Sequence, residues 1–238
     1  NDFYTSGILG NATQEDNLLA WVDQNDFTDI YLYNVGAILG DGLDNELRVF
    51  VNKAHNQNPY LRVSFVSAGF GDSFTAIENY HDGRKDSKPD GIVSEIEFWN
   101  GSMNFTDDYV PWIDKVNDLK FTPPPGEVAP LNAGITRQFY IGKIKDPGSP
   151  PSLIIAKELV QHHDEIFLTN YHTDAWQLSG STAENSIVNK LNLLAQAGME
   201  LNKEVNIVIL FNVFQLSPSP EIWDYFATGG MNNEFEDA

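Results

Sequence analysis

The sequence predicts an α/β protein built on a parallel sheet, of the (β/α)8 barrel class. Strand-like and helix-like segments alternate at intervals of roughly 30 to 40 residues, as successive β–α–β units require. The strand-like segments are almost continuously apolar, which is typical of strands that are covered on both faces. The chain of 238 residues has the size of one barrel, so we predict a single domain over residues 1–238.

Seven strands are predicted, each of them followed by glycine, proline or a polar loop. In chain order they cover residues 4–9, 30–35, 61–67, 90–99, 135–144, 165–171 and 205–213. No clear eighth strand follows, so either the barrel has an eighth strand that the sequence pattern does not reveal, or it is incomplete or irregular at that strand. A doubly wound open sheet is the structural alternative.

Helices are predicted between the strands from apolar spacing and from N-capping residues. Thr13 is the expected N-cap of the first helix, and Asp44 or Asn45 caps the second. Residues 36–42 are rich in glycine but lack the lysine and the spacing of a phosphate loop, so a turn is predicted there. The second helix has one apolar stripe, which consists of Leu47, Phe50, Val51 and Ala54. Further helices are expected at 73–80, 107–119, 150–161, 181–198 and about 223–226.

The charge balance limits the classes of partner. The net charge is −20, from 34 acidic and 14 basic residues. Nucleic acids and anionic membranes are bound through basic patches, so neither is expected as a partner. A neutral polar ligand, such as a glycan or an oligosaccharide, is compatible with this charge.

The residue types present also bear on cofactors and location. The chain contains no cysteine, which excludes disulfides and thiolate metal sites, and no His, Asp or Glu spacing predicts a metal or another cofactor. No apolar run of about 18 residues is present, so no membrane span is predicted. The chain begins with Asn1 instead of Met, which indicates either a trimmed chain or a mature exported form, and a secreted, periplasmic or cell-surface location is expected.

The fourth predicted strand contains the strongest functional signal. Alternation along residues 90–99 places Val93, Glu95 and Glu97 on one face of that strand. Buried carboxylates are costly unless they are paired, so two of them at the carboxyl end of an apolar strand predict a site. Adjacent carboxylates suit general acid catalysis of glycosidic cleavage, because the charge of one opposes ionisation of the other. The alternative is that both glutamates are structural.

Aromatic residues near the strand ends could stack on sugar rings. They are Phe98, Trp99, Tyr171 and Trp176. The alternative is that these aromatic rings belong to the core, since large aromatic side chains dominate core packing.

The sequence Asp-Gly-Ile-x-x-Glu-x-Glu over residues 90–97 resembles the fourth-strand motif of family 18 glycoside hydrolases. That family comprises chitinases and endo-β-N-acetylglucosaminidases, and its pattern is Asp-Gly-x-Asp-x-Asp-x-Glu. Ser67-Ala68-Gly69 is similar to the Ser-x-Gly of its third strand. The resemblance implies that Glu97 is the catalytic acid, and that Glu95 takes the place of the Asp that orients the substrate's acetamido group.

Two further positions are implied by the resemblance. Tyr171 lies near the family's Tyr of a Met-x-Tyr-Asp motif, although His172 replaces the Asp, and Trp223 is a candidate for the Trp that forms the floor of the sugar site. The chain departs from the family at Val93, where the family has an inward Asp, and at Glu95, which is one methylene longer than Asp.

The resemblance implies a retaining, substrate-assisted glycoside hydrolase that acts on N-acetylglucosamine-containing glycans, with Glu97 as acid/base. It implies substrate contacts by Ser67, Trp99, Tyr171, Trp176 and Trp223. A non-catalytic carbohydrate-binding or scaffold protein on the same barrel is the alternative.

Overall fold

The computed structural model describes residues 3–4, 6–67, 72–81, 87–117, 135–170 and 187–211. The chain divides into two compact units, which we describe separately. Unit 1 comprises Asn1–Ile96 and Tyr109–Gln138, and unit 2 comprises Glu97–Asp108 and Phe139–Ala238. The single domain over 1–238 stays a prediction, because compact units within one chain are not by themselves independently folding domains.

The described residues form six strands and seven α-helices. The strands are β1 (Asp29–Leu32), β2 (Arg62–Ser67), β3 (Gly91–Ser94), β4 (Thr136–Ile141), β5 (Glu165–Asn170) and β6 (Asn206–Phe211). The helices are α1 (Ala12–Gln24), α2 (Val35–Gly40), α3 (Asp44–Gln57), α4 (Asp72–His81), α5 (Val110–Asn117), α6 (Leu153–His162) and α7 (Ile187–Leu201). A π-helical turn, Phe105–Tyr109, leads directly into α5.

The strands are hydrogen-bonded in the order β1-β2-β3-β4-β5-β6. β1 runs parallel to β2, β2 to β3, and β5 to β6. A sheet in which each strand lies beside its neighbour in the chain is the arrangement of a (β/α)8 barrel, whereas a doubly wound sheet reverses its order at a switch point. The α/β class is therefore confirmed with a six-stranded sheet of barrel order, and closure by eight strands stays a prediction.

In unit 1 the two faces of the sheet differ in polarity. Parallel register pairs Tyr31 with Ser64 and Ser64 with Gly91, so these residues share one face. We call this the polar face, which consists of Asp29, Tyr31, Arg62, Ser64, Val66, Gly91 and Val93, with valine as its apolar residue type. The opposite face is apolar and helix-covered, as shown by Phe65, whose ring lies 5.4 Å from that of Tyr80 in α4.

The helices of both units present apolar stripes to the core. The predicted stripe of α3 is confirmed, since Leu47, Phe50, Val51 and Ala54 are all buried. In unit 2, α6 packs against α7. The buried face of α7 consists of Ile187, Lys190, Leu194, Ala197 and Gly198, whereas Ala195 is exposed.

Two predicted segments near the N-terminus are wrong. The described residues of 4–9 form turns instead of a strand, because Gly7 and Gly10 have positive φ values of 71° and 80°. The predicted turn at 36–42 is largely the helix α2, which begins after the left-handed Asn34. Val35 and Ile38 of α2 are fully buried, and this packing compensates for the low helix propensity of glycine.

Several helix boundaries also differ from the predictions. The N-cap of α1 is Asn11, whose side chain accepts from Gln14 N, and that of α6 is Ser152, whose side chain accepts from Ile155 N. Gly198 does not end α7, which continues to Leu201. The start predicted at 181 and the helix predicted near 223–226 lie outside the described residues.

Candidate functional site

The carboxyl ends of β1, β2 and β3 lie at one edge of unit 1, because the three strands are parallel. Tyr33 follows β1, Ser67 ends β2, and Glu95 follows β3. The hydroxyl of Tyr33 donates a hydrogen bond of 2.6 Å to Glu95 Oε1. The backbone N–H of Glu95 donates to the carbonyl oxygen of Ser67 over 2.9 Å. These contacts form a cluster that connects all three strand ends.

The side chains of this cluster belong to different faces of the sheet. Alternation from Tyr31 to Tyr33 and from Val93 to Glu95 puts both on the polar face, in agreement with their hydrogen bond. Ser67 alternates with Phe65 and is buried on the helix-covered face. Ser67 therefore contacts Glu95 through the main chain, and a substrate contact by the Ser67 hydroxyl stays a prediction.

Tyr33 and Glu95 are accessible to a ligand. Tyr33 is 51% exposed, and Glu95 is half-buried. A hydroxyl that donates to a carboxylate makes a charge-assisted bond, which restricts the orientation of that carboxylate. An oriented carboxylate can accept an N–H or O–H from a neutral polar ligand, which is the chemistry that sugar recognition requires.

Glu97 lies in unit 2 and outside any strand. The predicted strand 90–99 is too long, since β3 ends at Ser94 and a turn begins at Glu97. The backbone N–H of Asn100 donates to Glu97 O over 2.9 Å, and the Asn100 side-chain amide donates to the Glu97 carboxylate. Strand alternation consequently does not extend to Glu97.

Trp99 is packed inside unit 2. It is 7% exposed, and its ring centroid lies 5.3 Å from that of Phe98 and 6.1 Å from that of Tyr140. A Cβ atom at Gly142 would lie 2.9 Å from Trp99 Nε1, so only glycine permits the indole to pack there. The structure thus gives Trp99 a packing role, and its contact with sugar stays a prediction. Tyr171, Trp176 and Trp223 lie outside the described residues.

Sequence reasoning missed two residues at the strand ends. One is Tyr33, which lies within the predicted strand 30–35 but follows the end of β1 at Leu32 in the structure, and no sequence signal distinguished it. The other is Lys190, which is only 3% exposed and lies between Ile187 and Leu194 on the buried face of α7. Burial lowers the pKa of Lys190 to about 8. A lysine at helical spacing within an apolar stripe was the signal for it.

No group of three or more His, Cys, Asp or Glu that could hold a metal ion was found in the ranges given above. Within the same ranges, no helix is both long enough and apolar enough to cross a membrane.

The chain was also compared with known proteins. No protein-family model matches it, and no curated protein matches it.

Proposed function

We propose that the chain is a glycoside hydrolase of the family 18 type on a (β/α)8 barrel, acting on N-acetylglucosamine-containing glycans. The observation that carries this proposal is the hydrogen bond between Tyr33 and Glu95 at the carboxyl ends of β1 and β3. Active sites of such barrels lie at the carboxyl ends of the strands, and Glu95 takes the position of the residue that orients the acetamido group in the resembling motif.

The proposed mechanism is substrate-assisted. Glu97 protonates the glycosidic oxygen while the acetamido carbonyl oxygen of the substrate attacks the anomeric carbon, so that the glycosidic bond breaks and a cyclic oxazolinium forms. Glu95 accepts the acetamido N–H and thereby directs the carbonyl oxygen toward that carbon. Glu97 then removes a proton from water, which attacks the anomeric carbon and releases a product with retained configuration.

Tyr33 supports this mechanism by restricting the Glu95 carboxylate. Positioning of reacting groups is worth a large part of an enzymatic rate, and a displacement of about 1 Å can cost roughly 100-fold. A secreted, periplasmic or cell-surface location, where such glycans occur, belongs to the same proposal.

A non-catalytic glycan-binding protein is the second candidate. The contact that favours it is the hydrogen bond from the Asn100 side-chain amide to the Glu97 carboxylate. This contact lies within a single turn and is typical of a structural residue. The second candidate retains Tyr33 and Glu95 as ligand-binding residues but assigns no proton transfer to Glu97.

Hydrolysis of chito-oligosaccharides and N-glycans by the wild type, Glu97→Gln, Glu95→Gln and Glu204→Gln tests the proposal. Glu204 is an exposed glutamate between α7 and β6, so it is the matched control. We expect Glu97→Gln to lower kcat by about 10² to 10⁴-fold, the usual contribution of a general acid, with Glu204→Gln unchanged.

Calorimetric titration of the same glycans separates the two candidates. Binding without turnover by the wild type supports the non-catalytic protein, and turnover that survives Glu97→Gln contradicts the acid role. If the wild type neither binds nor cleaves any of these glycans, both candidates are wrong.

A further inference from the structure

Lys190 occupies a position in α7 where an apolar side chain is expected. Ile187, Leu194 and Ala197 lie on the same buried face of the helix. Lysine is almost never fully buried unless its ammonium group is satisfied. The partners of this ammonium therefore explain why lysine is compatible with that position.

The ammonium of Lys190 joins the carboxyl ends of two strands. Its Nζ donates to the carbonyl oxygen of Gly142, which follows β4, over 3.2 Å, and to that of Thr169 in β5 over 2.8 Å. It forms no ion pair with a described residue. Two carbonyl dipoles thus replace the water that burial removes.

Gly142 is in turn held against Trp99. A Cβ atom at position 142 would lie 2.9 Å from Nε1 and 3.0 Å from both Cε2 and Cζ2 of the indole. The indole is rigid and buried, so the position of Gly142 and that of the Trp99 ring depend on each other. Trp99 also belongs to the turn that Glu97 begins and that the Asn100 N–H closes.

We propose that Lys190 is a positioning residue for the turn that contains Glu97, and that it acts through Gly142 and Trp99. The catalytic consequence rests on the proposed function, because it requires Glu97 to be the acid. The mechanical link rests only on contacts within unit 2. A lysine that merely satisfied two carbonyl groups would affect stability but would leave the Trp99 ring in place.

The Trp99 indole N–H resonance in a ¹⁵N correlation spectrum is a readout that requires no activity. Trp99→Phe identifies this signal among the five tryptophans. The spectrum is recorded for the full chain and for Lys190→Met, Lys190→Gln and Lys143→Met. Lys143 follows Gly142 and makes no hydrogen bond or ion pair with a described residue, so it is the matched control.

We expect the Trp99 signal to shift in Lys190→Met and Lys190→Gln and to stay unchanged in Lys143→Met. An unchanged Trp99 signal in either folded Lys190 variant overturns the proposal, and Lys190→Gln, which keeps a polar donor, provides this test if Lys190→Met does not fold. With a glycan that the wild type hydrolyses, we expect the Lys190 variants to lower kcat by about 100-fold with little change in KM. This is the cost of misplacing a catalytic group by about 1 Å.

The two proposals fail in different ways. If the wild type shows no hydrolytic activity, the proposed hydrolase function is wrong, but the effect of Lys190 variants on the Trp99 signal can still be measured. If the wild type is active and the Trp99 signal is the same in the Lys190 variants, only the positioning role of Lys190 is wrong.

Discussion

The hydroxyl of Tyr33 donates to the carboxylate of Glu95 over 2.6 Å, although the two residues lie 62 positions apart in the chain. Tyr33 follows β1 and Glu95 follows β3, so the bond passes across the carboxyl end of β2. Adjacent strands lie about 4.8 Å apart, and two strand spacings therefore separate the two backbones by roughly 10 Å. Two long side chains span this gap, and the extra methylene of glutamate relative to aspartate contributes to that reach.

Replacement of Tyr33 by phenylalanine removes the donor and retains the ring. We expect glycan affinity to fall about fivefold, equivalent to about 1 kcal/mol for a partly exposed hydrogen bond to a carboxylate, with a smaller change in the free energy of unfolding. Calorimetric titration and urea unfolding measure the two effects. Tyr60→Phe is the control, because Tyr60 is 85% exposed. Equal affinity of Tyr33→Phe and the wild type would contradict a binding role for the pair.

Replacement of Lys53 by methionine removes the ion pair of a buried carboxylate. Glu15 in α1 accepts from Gly10 N over 2.9 Å and from Lys53 Nζ in α3 over 2.8 Å. We expect Lys53→Met to lower the free energy of unfolding by about 2 kcal/mol, because Glu15 stays buried and loses a partner. Lys157→Met is the control, since Lys157 pairs with Glu200 at the surface, where solvent screening leaves such pairs with little effect on stability.

The contribution of Lys53 to the free energy of unfolding is also expected to depend on pH. The hydrogen bond that the Lys53 ammonium donates to the Glu15 carboxylate is the main cause that raises the pKa of Lys53, and Asp16 adds to it. Because the folded pKa lies above the unfolded one, this stabilisation is fully present at neutral pH and is lost as pH rises through the folded pKa. Equal alkaline profiles for the unfolding of wild type and Lys53→Met would contradict the assignment.

Replacement of Gly91 by alanine tests why the Asp-Gly motif needs glycine. A Cβ atom at Gly91 would lie 2.5 Å from both Ser64 Oγ and Gln138 Oε1, which are buried on the neighbouring strands. We expect Gly91→Ala to lower the free energy of unfolding by about 1 to 3 kcal/mol through overpacking. Chemical denaturation measures this change, with Gly40→Ala as the control, because no atom lies within 4 Å of a Cβ at Gly40. If Gly91→Ala lowers the free energy of unfolding no more than Gly40→Ala does, the strands around Gly91 can move apart without cost and the overpacking argument is wrong.

Stability is expected to rise with pH where Lys190 titrates. Burial lowers the pKa of Lys190 from 10.5 to about 8, so between these values the unfolded chain binds more protons than the folded one. The folded state therefore gains up to about 3 kcal/mol relative to the unfolded state as pH rises through this window, and the desolvation penalty is complete below it.

The difference in unfolding free energy between wild type and Lys190→Met isolates this effect. We expect this difference in unfolding free energy to change in favour of the wild type between about pH 8 and pH 10.5. Lys143→Met, compared with the wild type in the same way, serves as the control. A pH-independent difference for Lys190→Met would contradict the lowered pKa.

Local patterns predicted much of the secondary structure. The apolar stripe of α3 and five of the strands from β1 to β6 were found near their predicted positions, and the fourth predicted strand was found in shortened form as β3. These elements follow from side-chain periodicity over a few residues. The failures have nonlocal or backbone causes. Val35 and Ile38 are held in a helix by burial against other elements, and the glycines at 7 and 10 adopt turn conformations that apolar content does not reveal.

The candidate site was predicted in part. Glu95 was found at a strand end from spacing alone, because alternation needs no knowledge of the neighbouring strands. The partner of Glu95 could not be predicted, since Tyr33 reaches it only through the register of three strands. The end of β3 at Ser94 could not be predicted either, because the turn at Glu97 continues an apolar and aromatic sequence that favours a strand.

By itself the sequence determined the α/β class, the approximate positions of β1 to β6 and the position of Glu95 after an apolar strand, since each depends on residues close together in the chain. Only the tertiary structure decided that Tyr33 bonds to Glu95, that Glu97 lies in a turn, and that Lys190 joins β4 to β5. These relationships depend on strand register and on which helix face is buried, and both are set by packing between segments that are distant in the chain.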